Sequence, residues 1–158
     1  MQQIEVGEAY EASTSALQAA KGQRLSLRRG IAGLEKALAG PPEELDGLPA
    51  RVGGALEHLQ DVFAIHVQVT EGQGGLYQEI LENAPRLANR VTRFRREHAE
   101  ITAGIGQAIA ETSAAADPAS VRAVRDHTVR LFADLVRHRK RGLDLVYEAY
   151  HVDIGGES

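Results

Sequence analysis

A strict four-three spacing of apolar residues constrains this chain more than any other feature. Leu87, Val91, Phe94, His98, Ile101 and Ile105 follow one another at steps of four and three. That period places them all on one face of an α-helix. Three further stripes share it: Leu27, Ile31, Leu34 and Leu38; then Leu48, Val52, Leu56, Leu59, Phe63 and His66; and finally Val121, Val124, Thr128, Leu131, Leu135, His138, Gly142, Leu145 and Ala149. Strand-type alternation is nearly absent.

The breaks between stripes are equally legible. The prolines of "AGPP" (39–42) stop the first helix, and glycines 72, 74 and 75 interrupt the second. A short amphipathic piece, "LYQEILEN", leads to a turn at Asn83-Ala84-Pro85. Asp117-Pro118 reads as a helix start, with Asp as the cap and Pro at the first helical position. Four long amphipathic segments with short connections predict an all-α fold, an antiparallel up-down four-helix bundle. Residues 1–158 are expected to form a single domain. Residues 1–20 add an extra helix or extend the first, and residues 151–158 form an irregular tail.

Composition narrows the function classes. The chain has no Cys, which excludes thiolate ligands and thiol catalysis. A formal charge of −4 argues against a general nucleic-acid binder. The short basic runs "RFRRE" and "RHRKR" read as solvated faces of the bundle. No apolar run approaches the roughly 20 residues of a membrane span. The opening "MQQIEVGEAYEAS" carries early acids and no apolar h-region, so no signal peptide and a cytoplasmic location are expected. There is no phosphate loop, no Ser-His-Asp set and no paired core carboxylates, so hydrolase or transferase chemistry finds no support.

Histidine is where the stripes carry chemistry. His66, His98 and His138 occupy core positions on three different helices. In antiparallel neighbours, residues equally far from the connecting turn lie at one depth. Residue 82, midway between 66 and 98, adjoins the turn at 83–85; residue 118, midway between 98 and 138, is the Pro of the last helix start. Three buried imidazoles therefore converge on one layer. Protonated they would repel, and neutral they would leave nitrogens unpaired; a metal cation resolves both problems. His58, His127 and His151 fall outside these core positions and are expected at the surface or boundary.

A bundle with single histidines on successive helices resembles the hemerythrin-like (HHE cation-binding) family, a likeness carried also by "TEGQGGLYQEILENAPRL" and "DLVYEAYHVDIGG". The resemblance covers roughly residues 25–150. It implies a non-haem iron site in which His66 matches the second-helix histidine, His98 the third and His138 the fourth. It also implies binding of dioxygen, peroxide or nitric oxide, in storage, sensing or protection. The chain departs from the family's pattern at definite places. The first stripe has Ile31 where a histidine is expected; Thr70 stands four after His66, and Gly142 four after His138.

Glu71, five after His66, faces about 140° away in a regular helix, and a π-turn would bring it round. The expected metal ligands are accordingly His66, Glu71, His98 and His138, with Glu35, Asp144 or Glu148 as replacement acids. Iron, mono- or dinuclear, is the expected metal and zinc the alternative. Gly142 either leaves space for a small ligand or permits close helix packing, and Tyr77 and Tyr147 are candidate phenols near the metal. An oxidase or peroxidase role remains open. So does a metal-free bundle acting as an interaction or regulatory module.

Overall fold

The computed structural model describes residues 2–41 and 44–152, with the side chains of residues 15–41 and 44–150. The described residues form helices α1 (Gln2–Leu38), α2 (Leu48–Glu71), α3 (Leu76–Asn83), α4 (Ala88–Ala114) and α5 (Pro118–Tyr147), and no strand. A 3₁₀ turn at Pro85–Leu87 precedes α4, and a π-helical turn, Glu148–Val152, follows α5. Residues 2–20 thus belong to the first helix rather than forming another. Of the expected irregular tail, His151 and Val152 close the π-turn, and residues 153–158 lie outside the described residues.

The four long helices form a closed ring in which α1 packs on α2, α2 on α4, α4 on α5, and α5 back on α1. Neighbours run antiparallel. Gly104 of α4 faces Leu131 of α5, while Glu97, two turns earlier, meets His138, two turns later. Gly30 of α1 lies against Leu59 of α2, where an added Cβ would stand 3.3 Å from its side chain. That close approach fixes the register of the first two helices.

The stripes point inward as their period requires. Leu27, Leu34, Val52, Leu56, Leu59, Ile105 and Leu135 are at most 1% exposed and anchor one apolar cluster. Each such leucine stabilises the fold by about 1.5–3 kcal/mol relative to exposure. A second cluster joins Ala20 of α1, Leu76, Tyr77 and Ile80 of α3, Val91 and Phe94 of α4, and Leu145 of α5. The three core histidines lie between the clusters. Phe63 from the first touches all three rings, with centroids 5.5–6.0 Å apart. From the second, Phe94 packs edge-on against His138, and Tyr77 stacks on His98.

Two termini place the site. Asp117 caps α5 by accepting from the Ser120 backbone N–H at 2.7 Å, and Ser120 accepts in return from the Asp117 N–H. At the other end of the bundle α2 stops at Glu71, where the Gly72 N–H donates to Gln68 O at 2.8 Å. A Cβ on Gly72 would stand 2.5 Å from that oxygen, and Gly74 has φ of 72°, so this turn demands glycine. The glycines therefore end α2 sharply and start α3, which carries Tyr77 over the histidine layer. Among the described residues, no helix is long and apolar enough to cross a membrane.

Candidate metal centre

His66 is 8% exposed, His98 1% and His138 2%. One ligand atom from each lies within 4.8 Å of the others. The Nε2 atoms face one another, 3.1 Å between His98 and His138 and 3.5 Å between His138 and His66. The convergence expected from turn positions is therefore present in the fold.

The far sides of two rings decide their tautomers. His98 Nδ1 lies 3.1 Å from Glu71 Oε2, and His138 Nδ1 lies 2.8 Å from Glu97 Oε1. An ionised carboxylate only accepts, so each Nδ1 carries the proton and donates. In the neutral rings Nε2 is then bare, and two lone pairs meet at 3.1 Å. A positive charge between them would relieve that repulsion. A proton is a poor candidate near neutrality. Burial, then the charges of His138 and His66, lower His98 to a pKa of about 2. Burial, then His138 and Arg24, lower His66 to about 3. Burial also lowers His138, opposed by Glu97. A metal cation fits this donor set: neutral imidazoles presenting Nε2, two of them oriented by a carboxylate on the other nitrogen.

The carboxylates do not all stand where the sequence placed them. α2 is regular α-helix through Glu71, so no π-turn swings Glu71 beside His66; the chain forms one at Glu148–Val152 instead. Glu71 crosses to α4 and supports His98 from behind. Glu35 and Asp144 are exposed, and Glu148 pairs with Arg90, so none of these replacement acids approaches the histidines. His58 and His127 are exposed, and His127 pairs with Glu111 at 2.9 Å; the side chain of His151 lies outside the described residues. Tyr147 is 60% exposed, away from the core.

Sequence reasoning missed Glu97. It immediately precedes His98 but serves His138 on the neighbouring helix, and Arg141 also binds it. It missed the first helix's contribution too. Ile31 packs in the apolar cluster, two turns from the histidine layer. Because Gly30 faces Leu59, the level of His66 meets α1 near Arg24. The stripe in fact continues backward from Leu27 in the same four-three steps, through Arg24, Ala20 and Leu17. That extension is the signal the sequence offers.

Two further residues complete the surroundings. Tyr77, 3% exposed, places its hydroxyl 3.3 Å from His98 Nε2, and burial pushes its pKa up. A Cβ on Gly142 would meet nothing within 4 Å, so close packing is not its purpose. It borders a cavity of about 30 Å³ that His66, His138 and Tyr77 also line.

Comparison with known families agrees with this geometry. The family model for the hemerythrin HHE cation-binding domain matches residues 21–147, most of the chain. The chain belongs to the hemerythrin HHE cation-binding family. No curated protein and no solved structure matches it. As a hemerythrin-family bundle it holds a three-histidine cluster able to take a metal ion, and the group contains no carboxylate among the described residues.

Glu97 offers a test of how this hemerythrin-family cluster is supported. Glu97→Gln keeps an acceptor for His138 Nδ1 but removes the charge that fixes the ring. Metal affinity, measured by competition with a chromophoric chelator, should fall about 10–100-fold. Unchanged affinity would mean that Glu97 serves only its ion pair with Arg141.

Proposed function

We propose that this protein binds one iron ion on His66, His98 and His138 and exposes it to a small ligand through the cavity at Gly142. The observation that carries this reading is the pair of bare Nε2 atoms at 3.1 Å, each ring held in that tautomer by a carboxylate. A single ion suits the donor set, because no bridging carboxylate joins the cluster among the described residues. Iron bound there would supply reversible one-electron chemistry toward dioxygen, peroxide or nitric oxide.

The chain's own residues define the rest. Phe63 and Phe94 pack against the imidazoles and keep bulk water away. Glu71 acts through His98, holding its Nδ1 proton so that Nε2 faces inward. The Tyr77 hydroxyl, 3.3 Å from His98 Nε2, can donate a proton or hydrogen bond at the edge of the centre. Gly142 leaves the opening beside His66 and His138. A binding, sensing or protective role follows from this arrangement more readily than turnover, since Tyr77 is the one proton donor this close to the ring nitrogens among the described residues.

Elemental analysis after anaerobic dialysis against ferrous iron tests the reading. The expected result is about one iron per chain, the content of one three-histidine ligand set. Iron far below one per chain would favour a metal-free bundle. Two per chain would reinstate a dinuclear site.

A further inference from the structure

The cavity beside the centre has a chemical bias that iron binding alone does not explain. Arg24 of α1 and Arg139 of α5 both line it, together with His66, His138, Tyr77 and Gly142. Two arginines thus border one small space. Their charges act on each other, and neither has a carboxylate partner among the described residues. The Arg139 Nε is buried without a hydrogen-bond partner, as is His66 Nδ1. Glu71 and Glu97 sit behind their histidines and do not line the cavity. Both arginines are half-buried, and an anion joining them would offset their mutual repulsion and give the buried Nε the acceptor it lacks.

Position strengthens the case. Arg24 occupies the core-stripe position of α1 at the level of His66, and Gly142 lies one turn after His138 with open space at its Cβ. Neither helix brings an acid into this gap. The cavity, about 30 Å³, has room for two or three water-sized groups. That is the size of formate or bicarbonate.

We propose that this cavity takes a small planar oxyanion, clamped by Arg24 and Arg139, with one oxygen turned toward the metal on the three histidines. The anion supplies from solution the carboxylate that α1 and α5 do not carry. This inference rests on the metal reading above. Because binding linkage is reciprocal, the anion must tighten the metal as much as the metal tightens the anion.

The test uses the full chain, zinc as a redox-silent metal, and formate as the anion. Apparent zinc affinity is measured by chelator competition in sodium formate and in sodium chloride at equal ionic strength. Formate should tighten zinc about tenfold, within the usual range of such couplings. Arg24→Met removes one clamp, and Gly142→Leu fills the cavity from another helix. Each should keep stoichiometric zinc and lose the formate effect, with helical content checked by circular dichroism. Stoichiometric zinc with equal affinity in both buffers overturns the anion site and leaves the metal reading intact. A formate effect that survives in both variants overturns its placement in this cavity. Absence of zinc in either buffer overturns the metal reading and the anion site with it.

Discussion

His98→Ala should abolish metal binding. The ring is 1% exposed, and its Nε2 meets both His138 Nε2 at 3.1 Å and the Tyr77 hydroxyl at 3.3 Å. Its removal leaves two imidazoles and strands Glu71 without its partner. Loss of a supporting hydrogen bond behind a ligand already costs about 10–100-fold in affinity. Loss of the ligand itself should exceed that, and chelator competition would register it as metal surrendered entirely. The metal-free protein should behave differently. His98→Leu replaces a repelling imidazole with an apolar side chain, so the metal-free variant should melt at or above the wild type. The two signs together separate a ligand from a structural histidine. If His98→Leu destabilised the metal-free fold and left metal content unchanged, the histidine layer would be a packing device.

The second large effect is on the acid stability of the metal-free protein. In the unfolded chain the core histidines take up protons near their ordinary value of about 6.5. Folded, His98 holds out to about 2 and His66 to about 3, chiefly because both are buried. Between these limits the unfolded state binds more protons, so stability is full above about pH 6.5 and falls as the pH drops below it. Each of the two groups costs up to about tenfold in the folding equilibrium per pH unit. From pH 7 to 5 the metal-free protein should therefore lose melting temperature steeply, as followed by circular dichroism. Replacing His66 and His98 by Leu should flatten the profile. Saturating metal should raise the whole curve and be released as the pH falls. A melting temperature that stays level from pH 7 to 5 would mean the imidazoles are more solvated than their burial indicates.

The amino-acid order carries the histidine layer with unusual clarity. A four-three stripe specifies a face, and the positions of the connecting turns specify depth. Together these two quantities set His66, His98 and His138 at one level from their sequence positions alone. Periodicity does not say to which neighbour a flanking side chain leans. Glu97 follows Arg96 and precedes His98 in the sequence, yet serves a ring on α5. Glu71 faces away from His66 on its own helix and finds its partner on α4.

Register between helices is the harder quantity. Ile31 is the natural position for the first helix's missing ligand if the stripe begins at Leu27. The Gly30 contact with Leu59 shifts the histidine layer two turns back, to Arg24. An arginine breaks an apolar pattern, so the stripe stops one step too soon when read by hydrophobicity alone. The glycines at 72, 74 and 75 likewise show where α2 ends, but only the fold shows that α3 then sets Tyr77 against His98.

The most direct measurement is an anomalous difference map from crystals of the metal-loaded protein, collected above the metal's absorption edge. The account predicts one peak per chain, enclosed by His66, His98 and His138, at about 2.0–2.1 Å from each Nε2 for zinc. A map with no peak among the three rings, or with its peak at surface residues such as His127 and Glu111, would contradict it.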